Sequence, residues 1–145
     1  MTTVNVYLNY LGNCEEAFLF YQSVFGGAFS TFSRFSSIPE DAEMPPVPEE
    51  LKDKIMHISL PISTETMLMG SDTGGEWGPP FKQGNNFAVS ITADSKEKAN
   101  LLFDQLSAGG TVAMPLEDTF WGDYFGMFED KFGINWMVGC STQQE

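Results

Sequence analysis

Basic residues are scarce in this sequence. Seven Lys and Arg stand against 20 Asp and Glu among 145 residues, which gives a formal net charge of −13. A protein that binds nucleic acid needs a basic face to displace counterions from the phosphates. An anionic membrane surface repels an acidic chain. The shortage of basic residues therefore excludes nucleic acid and anionic membranes as partners, and it leaves neutral or cationic ones.

Cysteines and long apolar runs are also few. Cys14 and Cys140 lie far apart without CxxC spacing, which is typical of a reduced protein, so we expect a cytoplasmic location. No apolar run approaches the roughly 20 residues that a transmembrane helix needs. The first residues contain no basic stretch of the kind that begins a signal peptide, so we expect neither a transmembrane helix nor a signal peptide.

Several motifs of enzymes are missing as well. The sequence contains no GxSxG nucleophile turn, no phosphate-binding P-loop, and no glycine-rich turn between a strand and a helix. Apolar residues, in contrast, are plentiful: 42% of the chain is hydrophobic and 14% is aromatic. A chain of this length buries roughly 68–70% of its unfolded surface, so we expect one folded domain with a substantial core.

The first half of the chain predicts one strand, one helix and three more strands. Apolar and polar residues alternate over 4–9, which is typical of a half-buried strand with Tyr7 and Asn9 on one face. Asn13, with an acid three residues later, predicts a capping box at a helix start, and Gly26-Gly27 predicts the helix end. The three further strands are expected at roughly 28–37, 53–62 and 66–71.

The same order of elements returns in the second half. Residues 87–92 alternate, Asp94 predicts a helix cap, and Gly109-Gly110 predicts the helix end. Three strands are expected at roughly 111–119, 122–130 and 134–140. This internal repeat predicts an α+β fold of two βαβββ modules within one domain. The expected ranges are 1–71 for the first module, 72–86 for the connecting segment and 87–140 for the second module.

Several segments of the sequence resemble a known family. They are YLNY at 7–10, MHI at 56–58, MLMGSD at 67–72, TFWGD at 119–123 and FGINW at 132–136. These segments resemble the PhnB-like family. That family belongs to the vicinal oxygen chelate superfamily, which also contains glyoxalase I, bleomycin-resistance proteins and extradiol dioxygenases. The resemblance implies the glyoxalase/bleomycin-resistance fold, whose cupped mixed sheets enclose a pocket. It also implies a homodimer with strands or modules exchanged between chains.

Metal-dependent members of this superfamily hold their metal with His, Glu or Gln at set positions on the strands. The resemblance implies that the corresponding positions here are Val6 or Tyr7, Met69, Asn86 and Trp136. None of these is a usual ligand of Zn2+, Ni2+ or Fe2+, and the one histidine, His57, lies on a different predicted strand. We therefore expect no metal and no other cofactor.

The candidate site residues are polar or aromatic side chains on the predicted strands and loops. His57 is either a general base oriented by Asp72 or a core or interface histidine that forms one hydrogen bond. Met69 and the tryptophans either fill the core or form walls for a flat or cationic ligand. The ligand-binding candidates are Tyr7, Asn9, Met69, Asp72, Trp77, Asn86, Trp121, Phe125 and Trp136. Trp77 is expected on a loop that covers the cavity.

The acids at 117–130 are either a solvated surface or, for Glu117 and Asp123 near Trp121, groups at the mouth of the cavity. Trp121 and Phe125 are expected to share one face of a strand. Together these features predict a small-molecule-binding protein with a metal-free aromatic cavity for a neutral or cationic ligand, and they leave catalysis open. Three alternatives remain: a bleomycin-type antibiotic-binding protein, a metal-dependent lyase or dioxygenase with atypical ligands such as His57 and Asp72, and a pure interaction module.

Overall fold

The protein consists of two compact units, Met1–Lys82 and Gln83–Glu145, which we name the first and second modules. The computed structural model describes residues 2–39, 46–73 and 81–141. Within these ranges, no helix is long and apolar enough to cross a membrane.

The first module is one helix with a four-stranded mixed sheet. Its elements are β1 (Val6–Tyr10), α1 (Cys14–Phe25), β2 (Thr31–Arg34), β3 (Ile55–Pro61) and β4 (Met67–Asp72). The sheet order is β1-β4-β3-β2. The β1 and β4 strands are parallel, and the remaining neighbours are antiparallel. Short 3-10 turns at Phe35–Ser37 and Glu49–Leu51 lie in the segment between β2 and β3.

The second module repeats this topology. Its elements are β5 (Val89–Thr92), α2 (Lys96–Ser107), β6 (Thr111–Asp118), β7 (Asp123–Glu129) and β8 (Asn135–Ser141). The sheet order is β5-β8-β7-β6, again with one parallel pair, β5 with β8. The predicted α+β fold of two βαβββ modules with mixed sheets is confirmed.

In each module the helix covers one face of the sheet. In the first module, Phe18 and Tyr21 of α1 pack with Leu8, Ile58 and Leu60 of the sheet, and all five are almost fully buried. Burying such a side chain contributes about 1.5–3 kcal/mol. The alternation of strand side chains then leaves the opposite face of each sheet free of its own helix.

A glycine on each sheet lets the helix approach closely. A Cβ atom on Gly70 of β4 would lie 2.7 Å from Cε1 of Phe18, and one on Gly126 of β7 would lie 2.7 Å from Cε2 of Phe103. Each glycine therefore provides the space into which an aromatic ring of the helix packs.

The helix starts differ from the sequence predictions. Asn13 precedes α1 but its side chain forms no capping hydrogen bond, so the predicted capping box is wrong. The carboxylate of Asp72 accepts hydrogen bonds from the backbone N–H groups of Gly12 and Cys14 instead. Ser95, not Asp94, caps α2, and its hydroxyl accepts the N–H of Lys98.

The strand boundaries are mostly close to the predictions. The largest difference is β2, which is limited to Thr31–Arg34 because residues 35–37 form a 3-10 turn. Val4 also lies before β1 and is 91% exposed, so it does not share the buried face with Leu8. Gly26, at φ 78°, ends α1 as predicted.

Candidate functional site

The face of the first sheet that α1 does not cover contains mostly polar side chains, and His57 is the histidine among them. Strand register places Tyr7 beside Met69, Met69 beside Ser59, and Ser59 beside Thr31. A second row places Asn9 beside Ser71 and His57 beside Ser33. We name this set the first open face: Tyr7, Asn9, Thr31, Ser33, His57, Ser59, Met69 and Ser71. Tyr7 and Asn9 are exposed and alternate along β1 with Leu8 and Tyr10, which are buried. This alternation confirms the prediction that Tyr7 and Asn9 face away from the helix.

Tyr7 and His57 form the contact that distinguishes this face. The Tyr7 hydroxyl lies 3.3 Å from Nδ1 of His57. The two rings are stacked, with centroids 5.6 Å apart and planes 22° from parallel. Tyr7 belongs to β1 and His57 to β3, the strands on either side of β4. The pair therefore meets above β4, next to Met69.

Asp72 does not orient His57. The Asp72 side chain is buried on the helix side of β4, where both of its carboxylate oxygens accept backbone N–H groups: Gly12 and Cys14 on Oδ1, and Ile55 on Oδ2. His57 lies on the opposite face of the sheet, so the expected pairing of His57 with Asp72 is wrong. Tyr7 is its partner. The sequence pattern could not identify this pair, because it depends on β4 inserting between β1 and β3.

The face of the second sheet that its helix does not cover is richer in large apolar side chains than the first open face. Register places Ser90, Met137, Met127 and Met114 in one row across four strands, and Thr92, Gly139, Phe125 and Glu117 in the next. We name these eight residues the second open face. Sequence reasoning missed this row, because Met127 and Met137 meet only once β7 pairs with β8, and the position of Met114 depends on irregularities in the pairing of β6 with β7.

A tight turn beside this face presents two exposed aromatic rings. Thr119 closes the turn, since its N–H and its hydroxyl both donate to the carbonyl oxygen of Asp123, at 2.8 and 2.7 Å. Gly122 has a φ of 96°, a conformation that disfavours other residues. Trp121 therefore lies in the turn and not on β7 as predicted, and it is 48% exposed. Phe120, which the sequence reasoning overlooked, is 98% exposed.

The rings of this turn contact the second open face. The Trp121 and Phe125 rings pack edge to face with centroids 6.2 Å apart, and the Phe120 and Trp121 rings do so at 5.0 Å. The Trp121 and Phe125 rings are therefore in contact, but they do not share one face of a strand as predicted, because Trp121 lies before β7 begins. Glu117 is exposed directly across from Phe125, whereas the neighbouring carboxylate of Asp118 is paired with Lys96 at 2.9 Å.

Trp136 lies in the core of the second module. It is 1% exposed, and its Nε1–H donates to Oδ2 of Asp130 at 2.8 Å. The other oxygen of Asp130 accepts the backbone N–H groups of Phe132 and Ile134. Of the two roles considered for Trp136, the structure favours core packing, because its indole N–H secures the turn between β7 and β8.

Asn86 and Trp77 are the two remaining candidates, and neither is among the residues that define the open faces. Asn86 is exposed and precedes the start of β5 by three residues. Trp77 lies outside the described residues, so its role as a covering residue stays a prediction.

The residues at the superfamily's metal positions do not fit a transition metal. In the first module they are the phenol of Tyr7 and the thioether of Met69, and in the second Trp136 offers an N–H that is already donated to Asp130. Over the ranges that the structure describes, no three His, Cys, Asp or Glu side chains cluster as a metal site would require. Asp72 and His57 lie on opposite faces of the first sheet, so these two residues do not form a metal site together either.

The two cysteines of the chain do not form a disulfide, and both are buried. Burial raises the pKa of the Cys14 thiol far above its ordinary value, and the negative charges of Asp72 and Glu15 raise it further. A thiol in this environment stays protonated and is a poor nucleophile. Cys14 is therefore a small apolar core residue at the start of α1.

The sequence and the fold both match known proteins. Residues 3–138 match the model of the Glyoxalase/Bleomycin resistance protein/Dioxygenase superfamily. Protein YjdN of Escherichia coli (strain K12) is 29% identical, with 95% of each chain covered. The crystal structure of protein PA1353 from Pseudomonas aeruginosa is 39% identical with a TM-score of 0.82, over 97% of this chain and 98% of that one.

A more distant structure extends the match in fold. The PhnB protein from Bacillus cereus is 22% identical with a TM-score of 0.74, over 97% of this chain and all of the other. The family model covers nearly the whole chain, and both modules have the expected βαβββ order. The chain therefore belongs to the glyoxalase/bleomycin resistance protein/dioxygenase superfamily.

Proposed function

We propose that the protein binds a small, flat, neutral or cationic molecule on the second open face, without a metal. One observation supports this proposal above the others. Phe120 and Trp121 stand exposed on a closed turn, and Trp121 packs against Phe125, which lies across from the carboxylate of Glu117. An aromatic wall beside a carboxylate is the chemistry that recognises a flat or cationic ring.

The exposed aromatic area gives such a ligand a source of binding energy. A ring that remains in water gains nothing from folding, whereas covering it with a ligand contributes about 1.5–3 kcal/mol. The methionines of the second open face add a polarisable surface that adapts to ligand shape. Met127 and Met137 are half-buried, which fits a floor under a ligand better than a fully solvated surface.

The charge of the protein favours a cation over an anion. The net charge of −13 concentrates cations near the surface, and Glu117 supplies a local carboxylate. The same module already holds one cation over an aromatic ring: Nζ of Lys96 lies 4.9 Å from the ring centroid of Tyr124. An organic cation over Trp121 would use the same attraction, which is worth about 0.5–2 kcal/mol depending on desolvation.

Calorimetric titration with three bicyclic probes tests this proposal. The probes are N-methylquinolinium, quinoline at pH 8 and 1-naphthoate, which have similar shapes and carry a positive, no and a negative charge. We expect affinity to fall in that order. The Glu117→Gln variant should weaken binding of the cation but not of quinoline. If 1-naphthoate bound as tightly as the cation, or if none of the three bound, the proposal would be overturned.

Variants of Trp121 locate the binding site. Trp121→Ala should weaken binding of N-methylquinolinium by about tenfold or more, since each 1.4 kcal/mol is a factor of ten, and Trp121→Phe should weaken it less. Leu101→Ala is the control, because Leu101 is also about half exposed but lies on α2, on the covered side of the sheet. Equal losses in Leu101→Ala and Trp121→Ala would contradict the assignment.

The same surface would suit a flat-ringed cationic antibiotic, so a bleomycin-type resistance protein is the second candidate function. Exposed aromatic rings beside a carboxylate favour it for the reasons given above. Expression in a sensitive bacterial strain tests it. Protection that is lost in Trp121→Ala would support the candidate, and an unchanged resistance level would exclude it.

The homodimer and the cytoplasmic location are further proposals. The dimer rests on the family resemblance, and the location rests on two buried cysteines that do not form a disulfide. Light scattering during gel filtration tests the dimer, which should have twice the 16.1 kDa mass of the chain. A dimer that dissociated in Trp121→Ala would assign the exposed rings to a second copy of the chain and remove their role in ligand binding.

A further inference from the structure

We propose that the Tyr7–His57 pair is a proton-transfer site for a small uncharged ligand that carries an enolisable carbonyl group. This site lies on the first open face. It uses none of the residues on which the proposed binding function depends. The inference rests on the hydrogen bond between the two side chains, on their stacked rings and on the character of the surrounding residues.

The hydrogen bond between Tyr7 and His57 has two neutral arrangements. In one, the Tyr7 hydroxyl donates to Nδ1 and the proton of the imidazole is on Nε2. In the other, Nδ1–H donates to the Tyr7 oxygen, Nε2 has a free lone pair, and the Tyr7 O–H is available to a ligand. The 3.3 Å separation of the hydroxyl and Nδ1 is compatible with either direction. The pair can therefore accept a proton at Nε2 and donate one from Tyr7.

These two arrangements allow an enolisation that balances in protons and charge. Nε2 of His57 takes the proton from the carbon next to a ligand carbonyl, and that C–H bond breaks. The Tyr7 hydroxyl gives its proton to the carbonyl oxygen, which becomes the enol O–H, and Tyr7 receives the proton of Nδ1 in its place. The pair ends in its other neutral arrangement. Return of the proton to carbon resets it, so no oxidant, reductant or metal is required.

The residues around the pair favour an uncharged ligand. Tyr7 approaches His57 from β1, Ser33 and Thr31 lie on β2, and Met69 and Ser71 lie on β4. These described neighbours include no Asp, Glu, Lys or Arg. In a chain with a net charge of −13, this face offers a charged ligand no counterion. A relay without charge separation avoids the cost of a partly buried ion.

Hydrogen–deuterium exchange at carbon tests the proposal directly. The probes are acetylacetone, an uncharged 1,3-diketone, and dihydroxyacetone, an uncharged hydroxyketone, followed by proton NMR in heavy water. We expect the protein to accelerate exchange of at least one probe over buffer by about 10²-fold, the lower end of general acid–base catalysis. No acceleration with either probe would overturn the proposal.

Variants separate this role from a structural one. Tyr7→Phe and His57→Gln should each abolish the acceleration, and the double variant should be no worse, because the two groups act as one unit. Leu19→Ala is the control, since Leu19 is about half exposed and lies on α1, on the helix side of the sheet. Exchange that survived Tyr7→Phe, with the fold checked by circular dichroism, would contradict the proposal.

A second measurement does not depend on catalysis. The chain contains one histidine, so the two imidazole 15N signals belong to His57 without ambiguity. Tyr7→Phe should change the proportion of the two imidazole tautomers, and an unchanged spectrum would refute the pairing. Trp121→Ala should leave carbon exchange intact, and Tyr7→Phe should leave N-methylquinolinium binding intact. The failure of either proposal is thus distinguishable from the failure of the other.

Discussion

The two modules share a scaffold and differ in what they expose. Each has one helix on one face of a four-stranded mixed sheet, in the same strand order. The first open face contains the hydrogen-bonded Tyr7–His57 pair among serines. The second open face holds a row of methionines beside Phe125 and the exposed ring of Trp121. The same scaffold therefore presents different side chains in the two modules, mainly hydroxyl and imidazole groups in the first and thioether and aromatic groups in the second.

The scaffold itself depends on one buried aspartate in each module. Asp72 is 3% exposed and accepts three backbone N–H groups. Asp130 is 2% exposed and accepts two backbone N–H groups and the indole N–H of Trp136. The two residues occupy different places in the topology: Asp72 joins β4 to the start of α1, and Asp130 shapes the turn between β7 and β8.

Removing either aspartate should have the largest effect on stability. Asp72→Ala and Asp130→Ala each leave three donors without an acceptor, so we expect a loss of about 3–5 kcal/mol in the free energy of unfolding. Urea denaturation measures it. Asp118→Ala is the matched control, because the Asp118 carboxylate is exposed and is bound by Lys96, so its loss should lower the free energy of unfolding far less. If only one of the two substitutions lowered the free energy of unfolding by this much, the two modules would not depend equally on their buried aspartates.

Glycine substitutions in the two sheets should have the next largest effect. Gly70→Ala would bring a Cβ within 2.8 Å of the Leu8 carbonyl oxygen as well as against Phe18. Gly126→Ala would meet Phe103 and the backbone oxygen of Met114. Such overpacking costs about 1–3 kcal/mol, which thermal unfolding would detect in both variants.

Gly139→Ala on β8 is the control for this pair. Its Cβ would have its nearest contact at 3.4 Å, from the carbonyl oxygen of Tyr124, so we expect a much smaller change in melting temperature. If Gly70→Ala were tolerated while Gly126→Ala was not, the two helices would differ in how tightly they pack on their sheets.

The ion pairs should have the smallest effects, with opposite dependence on pH. In the first module, Arg34 holds Glu15 through two hydrogen bonds of 2.8 and 2.9 Å, and this lowers the pKa of Glu15 below its ordinary value of 4.5. The stabilisation is present above that value and is lost as the pH falls through the lowered pKa. Because both side chains are partly exposed and screened by solvent, Glu15→Gln should cost only about 0.2–1 kcal/mol at pH 7.

The exposed pair in the second module should behave in the opposite way. The hydrogen bond to Asp118 raises the pKa of Lys96 above 10.5. Any stabilisation is full below that value and is lost as the pH rises through the raised pKa. Urea denaturation between pH 3 and pH 11 measures the free energy of unfolding of each variant. The value for Glu15→Gln should approach that of the parent protein in acid, and the value for Lys96→Met should approach it in alkali. Convergence at the other end of the range would contradict these assignments.

Local sequence patterns were sufficient to predict the helices and strands, but not the contacts between residues that are distant in the sequence. The alternation around Leu8 correctly predicted which way Tyr7 and Asn9 face, and paired glycines marked the helix ends. The cap of α1 could not be predicted, because Asp72 lies 60 residues from Gly12. The Tyr7–His57 contact and the methionine row depend on strand order and on irregular pairing, which leave no signal in a local pattern.

The separation of the two open faces is tested most directly by methyl NMR of protein labelled at its methionines and at the His57 imidazole. Addition of N-methylquinolinium should shift the methyl signals of Met114, Met127 and Met137. It should leave Met69 and the His57 15N signals unchanged, and Trp121→Ala should remove the shifts. Shifts at Met69 and His57 with none on the second open face, or no shifts at saturating probe, would contradict the account.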